Sequence, residues 1–232
     1  MDQTTDRGAL DAAAETQRFM TAVYGWMSFA LVITGLVAMY TASKPELLNL
    51  VFGNTWGLLG IVLLEFIAVG VLVSLLSKLS SLQATFIFIL YSALNGLTLS
   101  GIFVVYTAES IEFTFYVTAG TFAAMSLYGY TTKSDLSGWG NFLGMGLIGL
   151  IISGIVGAFF DLSAFSWITS CFGVVIFVGL TAYDTQKIKA MNVIGNEGTD
   201  EDRKEAIMGA LELYLDFINM FLYLLRLFGD RK

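Results

Sequence analysis

Seven long apolar segments are the feature of this sequence that most limits how the chain can fold. They cover approximately residues 22–42, 56–77, 82–106, 112–131, 140–160, 164–184 and 206–228. Because a helix of about 20 mostly apolar residues crosses the hydrocarbon core of a bilayer, each segment is long enough to span a membrane. Composition agrees, since 56% of the 232 residues are hydrophobic and only 13% are charged. The sequence therefore predicts an all-α membrane protein with seven transmembrane helices.

The polar residues outside these segments predict how the chain is organised. Residues 1–20 form a polar tail whose first 18 residues include four acids, without the apolar core of a signal peptide. Residues 21–229 form a single transmembrane domain, and residues 230–232 form a short tail. The connections are short, as is typical of one compact helical bundle.

The distribution of basic residues predicts the orientation of the chain. Eight lie on the N-terminal side of the membrane, namely Arg7, Arg18, Lys78, Lys133, Lys187, Lys189, Arg203 and Lys204. Four lie on the opposite side, namely Lys44, Arg226, Arg231 and Lys232. The positive-inside rule puts the N-terminus in the cytoplasm, and seven spans then put the C-terminus outside. If residues 206–228 were re-entrant, the balance would become 11 to 1, so the side of the C-terminal tail stays open.

Composition also excludes several classes of chemistry. The chain has no His, which excludes Ser-His-Asp machinery and His-ligated metals. The single Cys171 excludes an internal disulfide and a Cys-ligated cluster, and we interpret it as a small buried side chain. A net charge of −7 without a basic block makes nucleic acid an unexpected partner. We expect no cofactor, and any titration between pH 5 and 8 must come from carboxylates.

A polar stripe runs along the last apolar segment. Its members step by four, three, four and three residues, and so share one helix face: Glu212, Asp216, Asn219, Tyr223 and Arg226. The stripe is about 21 Å long at 1.5 Å per residue, and lipid cannot accommodate it. We therefore expect the C-terminal helix to be central in the bundle. As alternatives, Asn219 and Tyr223 only hydrogen-bond neighbouring helices, and Arg226 only extends to the interface.

Asp184 and Asp216 lie on the sixth and seventh helices and are candidates for a carboxylate pair. They can meet only if the sixth helix starts deeper or continues past Asp184, and the seventh helix can also begin before residue 206. Two carboxylates at hydrogen-bonding distance in a low dielectric cannot both ionise cheaply, so such a pair shares a proton. Loss of that proton would leave two negative charges that repel each other. The repulsion would push the two helices apart, so the pair would act as a gate. The alternatives are a helix-end carboxylate for Asp184 and a structural ion pair for Asp216.

Three further residues are candidates for an ion pathway or its control. Glu65 lies in the middle of the second segment, and Asn95 lies in the third segment with Ser92 and Thr98 on one face. Together with Glu212 and Asn219, we assign Glu65 and Asn95 to the pathway, although Asn95 is equally suited to bonding between helices. Lys78, at the cytoplasmic end of the second segment, is a candidate latch cation for Asp184 or simply a solvated lysine.

Several sequence motifs resemble one known family. They are Val23–Met27, Tyr128–Lys133 with Asp135–Ser137, Gly179–Gln186 and Leu213–Asn219. With these motifs the chain resembles the Bax inhibitor-1, or transmembrane Bax-inhibitor-motif, family over essentially all of residues 20–230. Within that family it is most similar to proteobacterial inner-membrane members, which implies location in the bacterial inner membrane.

The resemblance implies a fold and a set of roles. Family members have seven transmembrane helices with the last one central, and they are described as pH-sensitive Ca²⁺ leak channels. Asp184 and Asp216 match the two aspartates of their proton-sharing sensor, and Glu65 matches an acidic position that lines the pathway. All three are candidates for transient contact with Ca²⁺, a hard cation that prefers oxygen ligands. The family sensor also involves an arginine, whereas Lys78 stands about two positions away and lacks a bidentate fork.

We therefore predict a pH-sensitive Ca²⁺ leak channel, with Ca²⁺, protons and lipid as its partners. One alternative is a regulatory protein that binds other membrane proteins, such as a membrane protease, without transporting ions. Another is an intramembrane aspartyl protease, which also uses a proton shared by two aspartates. Asp216 lacks the Gly-x-Gly-Asp context of those enzymes, and a chain whose only proline is Pro45 cannot contain their Pro-Ala-Leu motif. We do not expect the protein to be an enzyme.

Overall fold

The computed structural model describes residues 3–160 and 166–232, and most of these residues are helical. No strand occurs among them, which confirms the all-α prediction. The described residues form nine α-helices: α1 (Gln3–Ala42), α2 (Pro45–Phe52), α3 (Thr55–Leu75), α4 (Ser81–Leu99), α5 (Ile102–Val105), α6 (Ala108–Thr131), α7 (Ser137–Phe159), α8 (Ser166–Met191) and α9 (Asp200–Phe228). A short 3₁₀ turn, Leu76–Lys78, follows α3.

Each predicted segment largely coincides with a long helix, and several of these helices begin or end beyond the apolar residues. α1 begins at Gln3, so the described part of the predicted polar tail is helical. The third segment is divided into α4 and α5 at Ser100 and Gly101, and the first connection contains α2. Residues 1 and 2 of the predicted tail, and residues 164 and 165 at the predicted start of the sixth segment, lie outside the described residues.

Six of the described helices are long and apolar enough to cross a membrane, so length and composition do not confirm the predicted count of seven. The six candidate spans are Leu10–Ala42, Thr55–Lys78, Ser81–Val105, Ser137–Gly157, Ser166–Met191 and Asp200–Phe228. The predicted fourth segment corresponds to α6, whose 24 residues would extend about 36 Å. Its composition is less apolar because it is rich in hydroxyl residues, and four of these are buried: Ser110, Thr114, Thr118 and Ser126.

The structure divides into two compact units, and the first contains the described residues up to Val104 together with Ile188–Tyr214. In this unit α4 packs against both α1 and α3. Gly96 of α4 allows the close approach to α1, because a Cβ atom there would lie 2.7 Å from the carbonyl oxygen of Thr34 and 2.8 Å from Cβ of Val37. Small residues of this kind let membrane helices pack tightly without a hydrophobic driving force.

The connection between α8 and α9 is bound to α1 within the same unit. Arg18 Nη1 donates to both carboxylate oxygens of Glu197, at 3.0 and 2.9 Å. The backbone N–H of Gly195 donates to Glu15 Oε1 at 2.8 Å. Gly195 and Gly198 have φ angles of 95° and 78°, a backbone region that favours glycine. The polar extension of α1 therefore contacts the loop that joins the two aspartate-bearing helices.

The second unit contains Val105–Lys187 and Leu215–Lys232. In it α7 approaches α8 closely at Gly140, where a Cβ atom would collide with the ring of Tyr183, and at Gly146, where it would lie 2.9 Å from Ile176 Cδ1. α6 packs against α9 through aromatic side chains: Phe217 lies 5.6 Å from Phe115 between ring centroids. These contacts fix the helices that carry the two aspartates.

α9 is the most buried of the six candidate spans. In its most apolar 18-residue stretch 67% of the residues are buried, whereas the other five candidate spans reach at most 33%. Burial continues around the whole circumference, since Leu211, Leu213, Tyr214, Asp216 and Phe217 are all buried although they point in different directions. A helix buried on every side can carry a polar stripe without exposing it to lipid.

Candidate functional site

Both helices that carry the two candidate aspartates extend beyond the predicted apolar segments. α8 continues for seven residues beyond Asp184, to Met191. α9 begins at Asp200, sixteen residues before Asp216. The sequence alone did not define either end, and the structure meets both conditions under which the two side chains can approach each other.

Packing between α8 and α9 gives the register of the two helices. The rings of Phe177 and Tyr223 stack with centroids 5.8 Å apart and an interplanar angle of 25°. Gly173 leaves room for the same tyrosine ring, because a Cβ atom there would lie 2.5 Å from Tyr223 Cγ. Seven residues are almost two full helical turns and return to nearly the same face. Moving seven residues along each antiparallel helix leads from this ring pair to Asp184 on α8 and Asp216 on α9.

The two aspartates differ in their exposure. Asp216 is buried, with 4% of its surface accessible, and Asp184 is half-buried. Phe217, next to Asp216, is buried between Phe115 and Phe122 of α6, with centroid distances of 5.6 and 5.5 Å. Burial of an aspartate as an ion is unfavourable unless its charge is compensated. The position of Asp216 in the middle of a candidate span is therefore typical of a functional residue.

The residues around Asp184 hold α8 in place from several sides. A Cβ atom at Gly129 of α6 would collide with the backbone carbonyl of Ala182. Tyr183 packs over Gly140 of α7, and the Thr185 hydroxyl donates to Ser126 Oγ at 3.4 Å. Small residues on the neighbouring helices therefore let α6 and α7 press against the turn of α8 that carries Asp184.

Gln186 ties the same part of α8 to the connection between α6 and α7. Its Nε2 donates to the carbonyl of Ser134 at 2.9 Å, and its Oε1 accepts from the N–H of Leu136 at 2.8 Å. Asp135 in this connection is exposed, and hydrogen bonds from Ser137 hold the pKa of its carboxyl group below the usual range. Asp135 thus stays ionised between pH 5 and 8 and is not a competing origin of a pH response there.

The polar residues predicted on the second and third segments do form contacts. Thr98 Oγ1 of α4 donates to Glu65 Oε1 of α3 at 2.6 Å. Asn95, on the same face of α4 and one turn earlier, accepts a hydrogen bond through Oδ1 from the hydroxyl of Tyr214 at 3.1 Å. The Tyr214 hydroxyl also lies 2.7 Å from Thr34 Oγ1 of α1. Within the first unit, polar groups of α1, α3, α4 and α9 thus meet in the interior.

The other predicted site residues are Glu212, Asn219, Arg226 and Lys78. Glu212 is half-buried. Asn219 Nδ2 donates to the carbonyl of Leu215 at 2.8 Å, so this amide group bonds within its own helix. Arg226 is exposed and lies 5.4 Å from the centroid of the Tyr223 ring, which agrees with a side chain extending to the interface. Lys78 is exposed at the end of the 3₁₀ turn, and its contact with Asp184 stays a prediction.

In the part of the chain that the structure describes, no three His, Cys, Asp or Glu side chains are grouped so as to hold a metal ion. The carboxylates predicted to contact Ca²⁺ are those of Asp184, Asp216 and Glu65. Contact between these carboxylates and Ca²⁺ stays a prediction about a passing ion.

Sequence reasoning missed Tyr214 and Thr34. Tyr214 is fully buried, with its ring edge-on to Phe88 and Tyr91 at 5.9 and 5.8 Å. In the sequence Tyr214 is one aromatic residue among many, and Thr34 is one of several hydroxyl residues in an apolar segment. The only signal was the position of Tyr214 two residues before Asp216, within the motif Leu213–Asn219.

Comparison with known proteins identifies relatives that cover almost the whole chain. A family model described as inhibitor of apoptosis-promoting Bax1 matches residues 16–232. Inner membrane protein YbhL of Escherichia coli K12 is 52% identical over 220 residues, which are 94% of each chain. An uncharacterized protein of Borreliella burgdorferi is 46% identical over 215 residues, 93% of each chain. Uncharacterized protein RP147 of Rickettsia prowazekii is 43% identical over 223 residues, 93% of this chain and 91% of its own.

These matches place the chain in a membrane, in agreement with its apolar helices. The similarity to an inner membrane protein locates it in the bacterial inner membrane. Since the family model covers all but the first 15 residues, the chain belongs to the Bax inhibitor family, described as inhibitor of apoptosis-promoting Bax1.

Proposed function

We propose that this protein is a pH-sensitive Ca²⁺ leak channel in which Asp184 and Asp216 share a proton and control the opening. The observation that carries the proposal is the register of α8 and α9, in which the Phe177–Tyr223 stack lies two turns from both aspartates. When the shared proton is lost, the two like charges repel in surroundings of low dielectric. The repulsion favours separation of α8 from α9, and Ca²⁺ flux rises with pH.

We propose a topology of seven spans with α9 central. α6 serves as the fourth span, because its 24 residues are long enough and its buried hydroxyl groups need not face lipid. Burial of α9 on all sides supports a central position. The N-terminus then lies in the cytoplasm, following the positive-inside rule, and an odd number of spans places the C-terminus on the opposite side.

We assign Glu65, Asn95, Glu212 and Asn219 to the pathway. The hydrogen bond from Thr98 to Glu65 and that from Tyr214 to Asn95 support an interior that tolerates polar groups. Polar side chains inside a span usually border a cavity or pathway because exposure to lipid is unfavourable. Ca²⁺ would pass as a permeant ion through transient oxygen contacts, and the proposal requires no cofactor or enzymatic step.

The experiment is Ca²⁺ entry into liposomes that contain the purified protein, scanned from pH 5 to 8. We expect wild-type flux to rise with pH and Asp216→Asn to flatten this dependence, because an amide cannot lose a proton in this range. Asp11→Asn is a matched control, since it makes the same change at an exposed position of α1. A profile unaltered by Asp216→Asn would contradict the sensor. No flux from folded wild-type protein would favour binding to other membrane proteins, such as a protease.

A further inference from the structure

α6 presents a continuous buried face of hydroxyl groups. The face repeats every four residues, which keeps its members on one side of a helix. It comprises Ser110, Thr114, Thr118, Phe122 and Ser126, and all of these are buried. From Ser110 to Ser126 it extends about 24 Å at 1.5 Å per residue. Phe122 is its single apolar member.

Three of the four hydroxyl groups have hydrogen-bond partners. Thr118 Oγ1 donates to the carbonyl of Thr114 at 2.7 Å. Ser126 Oγ accepts from Thr185, next to Asp184. Ser110 Oγ accepts from the backbone N–H of Asp230 at 3.0 Å, where the chain leaves α9.

Thr114 is the exception. It is fully buried, and no described residue offers its Oγ1 a hydrogen-bond partner. A buried polar group left unpaired costs about 1–3 kcal/mol, and a group in hydrocarbon has no bulk water to relieve that cost. Buried polar groups of native proteins are bonded to the protein or to an ordered water. Thr114 therefore points to a bound ligand that can donate a hydrogen bond.

The aromatic contacts between α6 and α9 relate this face to Asp216. Phe217 packs against both Phe115 and Phe122, and the middle of that stretch of α6 is Thr118. Since Asp216 directly precedes Phe217, it lies at the level of this stretch. Thr114 lies one helical turn from Thr118, in the direction of Ser110.

We propose that Thr114 binds a buried water molecule, which hydrates the hydroxyl face of α6 between the level of Asp216 and Ser110. The proposed path lies entirely within the second unit and ends where Ser110 accepts from Asp230. Helix carbonyl oxygens keep a second lone pair and supply the additional polar partners that a buried water requires. A role of this hydrated face in Ca²⁺ flux rests on the proposed channel, because the face lies at the level of Asp216 in the proposed pH sensor.

Thermal unfolding of the purified protein tests the water independently of transport. Thr114→Val keeps the shape of the side chain but removes the hydroxyl, and we expect it to lower the melting temperature relative to Thr118→Val. Thr118 is a matched control because it is also a fully buried threonine of α6, with its hydroxyl bonded within the helix. If the Thr114 hydroxyl were dry and unpaired, Thr114→Val would instead raise the melting temperature, by roughly 2–4 °C for each kcal/mol regained. That result would overturn the proposal.

A second pair of variants decides the question if Thr114→Val does not fold. Thr114→Ser and Thr114→Ala both remove the methyl group and differ only in the hydroxyl. We expect the serine variant to melt at the higher temperature, because it keeps the oxygen that binds water. Equal melting temperatures, or a more stable alanine variant, would contradict a water at this position.

Measurements of Ca²⁺ flux test whether this water belongs to the proposed ion pathway. We expect Thr114→Val to reduce Ca²⁺ flux into liposomes several-fold and Thr114→Ser to restore it. Normal flux in Thr114→Val would exclude this face from the route even if the melting data support the water. Absence of flux in the wild type would count against the channel itself, and the melting comparison would still decide whether Thr114 binds water.

Discussion

Tyr214 joins three helices through one phenolic hydroxyl. The residue belongs to α9, and its hydroxyl lies 2.7 Å from Thr34 Oγ1 of α1 and donates to Asn95 Oδ1 of α4 at 3.1 Å. The ring is held edge-on by Phe88 and Tyr91. Hydrogen bonds between membrane helices contribute on average about 0.6 kcal/mol each to stability.

Removal of this hydroxyl should destabilise the protein. Tyr214→Phe leaves Asn95 Oδ1 without this donor, at an expected cost of about 1–3 kcal/mol. We expect a lower melting temperature in detergent. Tyr128→Phe, which changes an exposed tyrosine, should have no effect. A Tyr214→Phe protein as stable as the wild type would show that the bond to Asn95 contributes nothing.

A change at Glu65 tests the proposed conduction of ions separately from the proposed sensing of pH. In Glu65→Gln the amide oxygen can still accept from Thr98 Oγ1, so the contact seen in the structure is retained, while the negative charge proposed to attract Ca²⁺ is lost. We expect reduced flux in liposomes, an unchanged shape of the pH profile and little change in stability. Flux equal to that of the wild type would remove Glu65 from the pathway.

Single residues also show which parts of the site a sequence can reveal. Asp216 was identified because an acid in an apolar segment is conspicuous and expensive. Tyr214 and Thr114 were missed because a tyrosine or a threonine is common in membrane helices, and its importance depends on the partner of its hydroxyl. The partners of Tyr214 lie on other helices, and the Thr114 hydroxyl has no partner among the described residues. The spacing of residues along the sequence carries no information about either case.

At the scale of helices, hydropathy predicted the apolar centres and missed the polar ends. α8 extends to Met191 and α9 begins at Asp200 because the polar residues there are helix formers whose ends meet water. α1 likewise extends back to Gln3, through polar residues that a hydropathy pattern does not include. These ends decide whether Asp184 can meet Asp216, which is why the sequence left the pairing open.

Gly129 allows α6 to approach α8 closely. A Cβ atom at Gly129 would collide with the backbone carbonyl of Ala182, and a backbone cannot rotate away as a side chain can. We expect Gly129→Ala to destabilise the protein by about 1–3 kcal/mol and to disturb the pH response, since Ala182 lies two residues before Asp184. Melting temperature and liposome flux measure the two effects.

Gly120→Ala is the matched control, because Gly120 lies in the same helix with nothing within 4 Å of its Cβ position. Alanine is the better helix former, so this variant should be at least as stable as the wild type. Equal melting temperatures of Gly129→Ala and Gly120→Ala would contradict the close contact between α6 and α8.

At the scale of the whole molecule, the proposed topology has an odd number of spans. α9 has 29 residues, or about 43 Å of helix, which is enough to cross the bilayer. In a Cys171→Ser background, which removes the only cysteine, Glu197→Cys should react with an impermeant thiol reagent only from the cytoplasmic side. Lys232→Cys should react only from the opposite side. Labelling of both from one side would mean that α9 does not cross and that the count of seven is wrong.

The proposed sensor requires Asp184 and Asp216 to titrate as one unit, and the pH profile of the double variant tests this coupling. Ca²⁺ flux into liposomes would be compared from pH 5 to 8 for wild type, Asp184→Asn, Asp216→Asn and the double variant. Residues that share one proton are not independent, so their substitutions do not add. We expect each single variant to flatten the profile and the double variant to add no further change. Additive effects, or a wild-type profile in either single variant, would contradict the account.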